Sequence, residues 1–584
     1  MIFRSTLATG LMVALLSSTA GAEPVTPERL LAAGTEAEAG NWLMIHKDYT
    51  STRHSTLDQI TMENVDDLQL AFAFPIGGLE KTLYGQGSLQ TTPLVNDGMM
   101  YVTDAWGTPY KFDVSSGRKA VPLWIGDTGF ERDPNSPFPP ANRGAALWQN
   151  LVITNMQNGM VMAFDDATGE VVWENHAGTE PGEAFTGAPL VVGDKVIIGQ
   201  AAGDFATRGW IAALDAGTGE ELWRRYVVPE PGQPGSETWK CDEGPNEQCW
   251  KTGGGGAWVT GSFDPESNAL IWGTGNPVPM FDPSSRPGDN LYTNSTVALD
   301  VDTGELKWHF QYTPNDYFDY DEVGSQLLLT REVDGQERKV VGHFGRNGYF
   351  YEIDRTDGTF LQASQYGKVV TWTDGINPET GKPVEYDASK DLQVYKAGAL
   401  HNAGDAVTSC PHLHGGVNFF PTVFNPNTGM AYGAAMEGCS QDEVIPVAPE
   451  DIVPGSVYLG GTYGTTGGVL NGSVTAMEVG TGTRAAQAET EFPFWSGLLS
   501  TPDMVWAGDT EGTFAAYDAA TLEEKWSINV GGVFAAPPIT YTVDGKQYIA
   551  VAAGPTGLVG FFSGQPEHGL MQAAAMIYVF ALKD

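Results

Sequence analysis

The sequence predicts an all-β protein with the architecture of a β-propeller. Three observations support this prediction. A strand-turn-strand motif recurs along the chain, its copies are spaced at about the length of one propeller blade, and 73 glycines and 36 prolines punctuate short strands throughout the 584 residues. Short strands interrupted in this way give little support to an α/β fold.

The repeat consists of a strand that alternates apolar and polar residues, a turn with Asp, Thr and Gly, and a second strand that ends in Trp. Three clear copies occupy residues 161–173, 211–223 and 296–308, and degenerate copies occur at 110–113, 351–354, 475–478 and 515–518. The Gly of the turn can adopt a positive φ at little energetic cost, as a tight turn requires. Each copy is therefore predicted to be a β-hairpin.

The spacing of the repeats matches propeller blades. The equivalent Asp residues at positions 113, 165, 215, 300 and 354 lie 52, 50, 85 and 54 residues apart. These steps approach the roughly 40 to 50 residues of a four-stranded blade, with one long insertion. The extra residues at 224–252 and 355–417 are assigned to loops above the blades, where binding sites often lie.

Composition limits the class of protein. With 18% charged and 41% hydrophobic residues, the chain is globular and long enough to bury a large core. Its 31 basic and 72 acidic residues give a formal charge of -41, which opposes binding to phosphate backbones and anionic lipid surfaces and favours basic partners. We therefore expect no nucleic-acid partner.

The N-terminus predicts export. Arg4, an apolar run from Leu7 to Leu16 and the small residues Ala20-Gly-Ala22 follow the pattern of a secretory signal peptide over residues 1–22. No later run approaches the roughly 20 apolar residues that span a bilayer. Residues 23–584 are therefore expected to form a single propeller domain in the periplasm or outside the cell, without a membrane span.

Four cysteines are present, an even number in a compartment where disulfides persist. Proximity in sequence favours the pairs Cys241–Cys249 and Cys410–Cys439, and four buried free thiols are the alternative. The chain has no Cys-x-x-Cys-His, so we expect no covalently attached c-type haem.

The segment Thr313–Asp321 places Asp316, Asp319 and Asp321 together with three aromatic residues within nine positions. In a strand, Asp319 and Asp321 would point to the same face. Two adjacent carboxylates repel unless a cation or a shared proton compensates, so a metal site is the first functional interpretation. A solvated loop in an acidic protein is the alternative that these residues alone leave open.

The repeat that closes on Trp resembles the tryptophan-docking motif of the quinoprotein alcohol dehydrogenases, eight-bladed β-propellers that bind pyrroloquinoline quinone (PQQ). The resemblance extends over nearly the whole mature chain, from Asn41-Trp42 to Ala536–Tyr541 and Gly545–Tyr548. It therefore implies an eight-bladed propeller with tryptophan-docking motifs and PQQ as the cofactor.

The resemblance also implies a metal site. Asn276, in Gly-Thr-Gly-Asn-Pro, and Asp204 match metal ligands of the family, although the family usually has Glu at the position of Asp204. Asp319 falls on the catalytic aspartate, and Asp321 matches the additional carboxylate of the lanthanide-dependent branch. A trivalent ion gains more than Ca²⁺ from each added carboxylate, which favours a lanthanide and leaves Ca²⁺ open.

The quinone contacts follow from further matches. Trp258, in a glycine-rich segment, would form the floor on which PQQ stacks, and Arg346 matches the cation beside the reactive carbonyls. The guanidinium of Arg143 suits a PQQ carboxylate because its donors are planar and bidentate. The other positions that the resemblance places at the cofactor are Gln90, Thr186, Ala202, Gly203 and Asn418.

Two positions depart from the family pattern. The methanol-oxidising members carry two adjacent cysteines whose disulfide lies over the quinone, and this chain has Pro137-Phe138 there. Gln90 occupies a position that is commonly Glu. Because these differences change the upper wall of the pocket, we expect a secondary or bulky alcohol as the substrate rather than methanol.

The activity that the resemblance implies is oxidation of an alcohol to a carbonyl at PQQ. Asp319 would take the hydroxyl proton, Arg346 would stabilise charge on the quinone, and a soluble cytochrome c would accept the electrons. A homodimer is left open. The alternative is a non-catalytic propeller scaffold of the outer-membrane assembly type. Such a scaffold would not need both a set of metal ligands and a set of quinone-binding residues.

Overall fold

The computed structural model describes residues 22–82, 85–134, 140–243, 246–333, 335–555 and 574–583. The proposed signal peptide, apart from Ala22, and Pro137-Phe138 lie outside these ranges. Within them the protein is all-β: its single α-helix, α1, covers Pro27–Leu31, with the Thr26 hydroxyl accepting a hydrogen bond from the Arg29 amide.

The strands of the first half of the chain are β1 Leu68–Pro75, β2 Lys81–Thr82, β3 Gly85–Gln86, β4 Ser88–Leu89, β5 Leu94–Asn96, β6 Met99–Thr103, β7 Pro109–Asp113, β8 Val121–Ile125, β9 Ala141–Asn142, β10 Ala146–Trp148, β11 Leu151–Asn155, β12 Met160–Asp165, β13 Val171–His176, β14 Leu190–Val192, β15 Lys195–Gly199, β16 Trp210–Asp215, β17 Glu221–Tyr226, β18 Ser262–Asp264, β19 Ala269–Gly273, β20 Ser295–Asp300 and β21 Leu306–Gln311.

The remaining strands are β22 Leu327–Val333, β23 Gln336–Phe344, β24 Tyr349–Asp354, β25 Phe360–Gln365, β26 Ala406–Ser409, β27 Val423–Asn425, β28 Met430–Val444, β29 Gly461–Glu478, β30 Arg484–Thr490, β31 Leu499–Ser500, β32 Met504–Gly508, β33 Thr513–Asp518, β34 Glu524–Asn529, β35 Ile539–Val543, β36 Lys546–Ala553 and β37 Met576–Leu582. Short 3₁₀ turns cover Glu36–Glu38, Val65–Asp67, Gly203–Phe205, Ser236–Thr238, Cys241–Glu243, Cys249–Thr252, Pro283–Ser285 and Pro449–Asp451.

These strands form successive sheets that are antiparallel, except for the small parallel pair of β4 and β9. In the described ranges there are seven four-stranded sheets, one five-stranded sheet and two small two-stranded sheets. Six of the four-stranded sheets take their strands in chain order, for example β5-β6-β7-β8 and β10-β11-β12-β13. The remaining one has the order β1-β37-β36-β35, with Leu68 opposite Leu582 and Pro75 opposite Met576. The first strand thus completes the sheet made by the last three.

The turn of each clear repeat is held by its Asp. In the copy between β12 and β13, the Asp165 carboxylate accepts hydrogen bonds from the amides of Ala167 and Thr168, at 3.0 and 2.9 Å. The Asp165 carbonyl accepts another from the amide of Gly169, which has φ +74°. The predicted hairpins are therefore confirmed, with Gly in the left-handed conformation that it adopts at little cost.

The Trp of each repeat packs against the turn Gly of the next one. The indole N–H of Trp173 donates to the Ala216 carbonyl at 3.0 Å, and its ring covers Gly219. The same arrangement joins Trp124 to Gly169, Trp223 to Gly304 and Trp308 to Gly358. At these four junctions, an indole hydrogen bond and a close aromatic contact thus join neighbouring sheets.

This contact gives a stability prediction. A Cβ added at Gly219 would stand 2.4 Å from Cε3 of Trp173, at φ +74°. We expect Gly219→Ala to lower the free energy of unfolding by about 3 kcal/mol, because the strain of a left-handed alanine adds to overpacking. Gly545→Ala is the matched control, since Gly545 has φ +76° with no atom within 4 Å of the added Cβ. It should cost only about 1 kcal/mol in urea unfolding. Equal losses in the two variants would contradict the contact.

The remaining structural predictions are also answered. Both disulfides form as predicted, Cys241–Cys249 and Cys410–Cys439, and the described chain has no free cysteine. The loops expected at 224–252 and 355–417 are confirmed only in part. Residues 227–243, 246–252 and 366–405 carry no strands, but β17 extends to Tyr226, and β25 and β26 lie within the second range. In the part of the chain that the structure describes, we find no helix of the length and apolarity that a membrane crossing requires.

Candidate functional site

One cavity contains every residue that the sequence placed at the cofactor or the metal. Its volume is about 200 Å³. The predicted residues in its lining are Gln90, Arg143, Thr186, Ala202, Gly203, Asp204, Trp258, Asn276, Asp319, Asp321, Arg346 and Asn418. The structure therefore brings together residues separated by more than 300 positions in the sequence.

The sheet topology explains this convergence. Asp204, Asn276 and Arg346 each follow the second strand of a sheet, namely β15, β19 and β23. Because these strands run in the same sense in successive sheets, their carboxyl ends meet at one end of the molecule. Asp319 and Asp321 reach the same place from the loop between β21 and β22.

Asp319 and Asp321 do not lie in a strand, so the alternation of side chains considered for a strand does not apply to them. Residues 312–326 form an irregular loop, and Asp319 has the left-handed φ of +62°. Such a residue interrupts the alternation of side chains along an extended chain. The two carboxylates nevertheless meet, because both contact the same guanidinium.

Arg346 joins the two carboxylates. Its Nη1 donates to Oδ2 of Asp319 at 3.1 Å and to the Asp319 carbonyl at 2.6 Å. Its Nη2 donates to Oδ2 of Asp321 at 3.0 Å and to Oδ1 of Asn418 at 2.9 Å. All four residues are buried. The guanidinium thus lies between the proposed base and the proposed metal-selecting residue.

Asp321 is held by two further donors. Its Oδ1 accepts from the amide of Asn276 at 2.5 Å, and its Oδ2 accepts from the indole N–H of Trp258 at 3.1 Å. A Cβ at Gly275 would stand 2.4 Å from Oδ1 of Asp321, so only glycine allows this approach. These contacts fix Asp321 beside the proposed metal ligand Asn276 and the proposed cofactor floor Trp258.

Burial makes the ionised forms of the cavity carboxylates unfavourable, even with Arg346 between two of them. Burial raises the pKa of Asp204 to about 7, with a further rise from Asp321, while a hydrogen bond with Asn276 opposes it. Burial also raises the pKa of Asp319 well above its usual range, although Arg346 opposes this. A multivalent cation would reverse both shifts, so the donor chemistry fits a hard metal ion.

The geometry also limits how a metal is held. Among the residues that the structure describes, no group of three or more His, Cys, Asp or Glu side chains is close enough to hold a metal by itself. Hard ions take six or more oxygen ligands, and the oxygen of Asn276 lies in the lining together with the carboxylates.

The other end of the cavity fits a planar anion. The guanidinium of Arg143 lies 4.9 Å from the ring centroid of Trp258 and 4.4 Å from that of Phe419, and its Nη1 donates to Oγ1 of Thr186 at 2.8 Å. Burial lowers the pKa of Arg143 to about 9. In the described chain, Nε of Arg143 and Oε1 of Gln90 are buried without hydrogen-bond partners. A carboxylate of a cofactor would accept a hydrogen bond from Nε of Arg143, and an aromatic plane would stack on Trp258, whereas Oε1 of Gln90 would need a donor.

Sequence reasoning missed six residues of the lining. They are Ala141, Ala201, Gly256, His414, Phe419 and Trp495. Ala201 and Gly256 are neighbours of predicted positions, and Phe419 follows Asn418, so adjacency was the available signal. No local pattern marks Trp495 or His414, which reach the cavity only because the ring of sheets closes. Pro137-Phe138, predicted for the upper wall, lies outside the described residues.

Fold and site together define a β-propeller enzyme with a cofactor cavity at one end of its sheets. Residues 42–371 match the family model described as PQQ, glucose/ethanol/alcohol dehydrogenase, beta-propeller domain. The chain is 34% identical to the quinoprotein alcohol dehydrogenase PedH of Pseudomonas putida over 534 residues, which cover 88% of this chain and 86% of that protein. The chain therefore belongs to the PQQ-dependent alcohol dehydrogenases, oxidoreductases that act on alcohols.

Solved structures agree with this assignment. The quinohemoprotein alcohol dehydrogenase ADHIIG from Pseudomonas putida HK5 has a TM-score of 0.84 at 30% identity, covering 96% of this chain and 82% of that one. A europium-containing methanol dehydrogenase has a TM-score of 0.82 at 29% identity, covering 95% of this chain and all of that one. The predicted propeller is thereby confirmed.

Proposed function

We propose that the protein is a periplasmic PQQ-dependent dehydrogenase that oxidises a secondary or bulky alcohol to a carbonyl and passes the electrons to a soluble cytochrome c. The observation that carries the proposal is the single cavity in which Arg346 bridges Asp319 and Asp321 beside Trp258 and Arg143. A non-catalytic scaffold would not need this combination of buried charges, which is costly to fold.

The residues have distinct roles in this proposal. Trp258, Arg143 and Thr186 would hold PQQ, with Gln90, Ala202, Gly203 and Asn418 beside it, and Asp204, Asn276, Asp319 and Asp321 would hold a lanthanide or Ca²⁺. PQQ, when bound, supplies the acceptor for the hydride of the alcohol. Asp319 accepts the hydroxyl proton of the substrate, and Arg346 keeps that carboxylate aimed into the cavity and supplies positive charge where negative charge develops.

The cysteines support the proposed partner and substrate. All four are in disulfides, so none remains for thioether attachment of a haem, and none can form a cap over the quinone. A separate cytochrome is therefore the proposed acceptor, and the formal charge of -41 would steer a basic one. The proposed larger substrate rests on the sequence difference at Pro137-Phe138, where the methanol-oxidising members carry adjacent cysteines.

The remaining parts of the proposal concern organisation. The seven four-stranded sheets and the five-stranded sheet of the described chain support eight blades. The charged start and apolar run of residues 1–22 support a signal peptide that is removed, with residues 23–584 forming one domain.

Reconstitution tests the proposal. Apoprotein loaded with PQQ and either Ca²⁺ or La³⁺ is assayed on primary, secondary and cyclic alcohols with an artificial electron acceptor. We expect turnover with at least one metal and a higher kcat/KM on a secondary or cyclic alcohol than on methanol or ethanol. No turnover on any alcohol would refute the activity, whereas a preference for methanol would refute only the proposed substrate.

A further inference from the structure

A buried glutamate lies directly behind the active-site arginine. Glu322 follows Asp321 in the chain and is fully buried, and its Oε2 accepts a hydrogen bond from the backbone amide of Arg346 at 3.2 Å. The same short segment therefore contacts Arg346 twice. Asp319 and Asp321 bind its guanidinium, and Glu322 binds its main chain.

Glu322 is itself fixed by a histidine. Nε2 of His343, at the end of β23, lies 2.9 Å from Oε2 of Glu322. Nδ1 of His343 lies 3.1 Å from the Ser325 carbonyl and 3.2 Å from Nε2 of Gln326, and its ring packs on Tyr312 with centroids 5.0 Å apart. His343 is 1% exposed. The imidazole therefore has one orientation, and it holds the carboxylate in one place.

The turn that carries Arg346 is built around this carboxylate. A Cβ at Gly345 would stand 3.0 Å from Oε2 of Glu322 and 2.8 Å from Oδ1 of Asn347. The amide of Gly345 donates to the Tyr349 carbonyl at 2.8 Å, which closes the turn between β23 and β24. The glutamate thus fills the space that a side chain at position 345 would take.

Stability alone does not explain a glutamate here. Among the described residues, Oε1 of Glu322 is buried without a hydrogen-bond partner. Burial raises the pKa of Glu322 from its ordinary value, opposed by the hydrogen bond with His343. An unpaired oxygen in the interior costs stability. The contact of Glu322 with the turn that carries Arg346 explains why a glutamate is present here.

We infer that Glu322, held by His343, is a positioning residue that fixes the main chain of Arg346 and thereby aims its guanidinium at Asp319 and Asp321. The expected effect on kcat rests on the proposed function. The expected effect on the position of the Arg346 main chain rests on the hydrogen-bond geometry alone. Glu322 touches neither substrate nor cofactor. It acts through Arg346.

The test compares two substitutions at position 322. Glu322→Ala removes the acceptor, and displacement of a catalytic group by about 1 Å costs on the order of 100-fold in rate. We expect kcat to fall by about that factor with KM for the alcohol nearly unchanged. Glu322→Gln retains an oxygen that can accept from the Arg346 amide, so it should keep kcat within about threefold of wild type. Equal losses in the two variants, or a kcat within twofold of wild type for Glu322→Ala, would overturn the inference.

A matched control separates positioning from general destabilisation. Glu352 is also fully buried, with Oε1 accepting from the Gly480 amide and Oε2 lying 2.6 Å from Nε of Arg331, away from the cavity. Glu352→Ala should lower Tm as Glu322→Ala does, while keeping kcat per PQQ-loaded site. A comparable loss of kcat in Glu352→Ala would show that destabilisation alone explains the effect.

Two readouts do not depend on turnover. Amide hydrogen exchange of the peptide containing Arg346 should accelerate in Glu322→Ala and remain at the wild-type rate in Glu322→Gln and Glu352→Ala. PQQ binding, followed by quenching of tryptophan fluorescence, should weaken in Glu322→Ala alone.

A second variant is used if Glu322→Ala does not fold. His343→Phe keeps the ring packing on Tyr312 and loses the bond to Glu322, so it should accelerate exchange at Arg346. Unchanged exchange in the tested variant would refute the inference, whereas inactive wild type would refute only the proposed function.

Discussion

Replacement of Asp319 by asparagine should reduce kcat by about 10³-fold while leaving the fold intact. The loss follows from removing the proton acceptor, since general-base catalysis contributes about 10² to 10⁴ in rate. Asparagine suits the position because Asp319 has φ +62°, a conformation that Asn tolerates better than most residues. Its amide oxygen can still accept from Nη1 of Arg346, so the guanidinium should stay in place.

Asp316 provides the control in the same loop. Its Oδ1 accepts from the Phe318 amide and its Oδ2 from the Tyr320 amide, each at 3.2 Å, which gives it a structural role. We expect Asp316→Asn to lower Tm and to keep kcat within about tenfold of wild type, as for a change outside the reacting groups. Steady-state kinetics and thermal unfolding of both variants decide the matter. An Asp319→Asn enzyme with kcat within tenfold of wild type would exclude Asp319 as the base.

Replacement of Asp321 by alanine should abolish activation by La³⁺ and Ce³⁺, whereas activation by Ca²⁺ is reduced far less. Each carboxylate contributes more to binding a trivalent ion than a divalent one, so its removal changes the preference between them. The structure adds a second effect, because Asp321 also accepts hydrogen bonds from Trp258, Asn276 and Arg346. Some loss with Ca²⁺ is therefore expected as well.

Asp321→Asn separates the two effects in part, since it loses the charge but retains one oxygen, which can keep the hydrogen bonds made at one of the two carboxylate positions. The measurements are kcat of apoprotein reconstituted with PQQ and each metal, and Tb³⁺ luminescence excited through the neighbouring Trp258. Both variants should lose lanthanide-dependent activity and luminescence, and Asp321→Asn should keep more Ca²⁺ activity than Asp321→Ala. An unchanged metal preference in both would mean that Asp321 does not select the metal.

Local patterns predicted the fold well, because the signals were local. The Asp of each turn binds amides two and three residues ahead, and the Gly adopts its positive φ within the same hairpin, so both leave a motif in the sequence. The disulfides follow the same logic, as each joins cysteines close in sequence. The contact of Trp173 with Gly219 spans sheets, yet it recurs at the repeat spacing and was therefore visible as a closing Trp.

The candidate site was predictable as a set of residues and less so as a geometry. Matching motifs placed twelve side chains in one cavity, but nothing in the sequence showed that Arg346 bridges Asp319 and Asp321. The alternation of side chains in a strand could not supply this geometry, because it describes an extended chain, whereas Asp319 adopts a left-handed conformation. Glu322 had no signature, since its role depends on a turn that comes more than twenty residues later.

The sheet that contains β1 can form only after β37, the last strand of the chain described, has been made. Leu68 lies opposite Leu582, so the last sheet requires segments about 500 residues apart in the chain. A contact of such long sequence separation carries a large loop-closure cost and forms slowly. A chain synthesised from its N-terminus holds β1 without its partner until β37 has been made. Its exposed edge during that interval is where protection from aggregation is most needed.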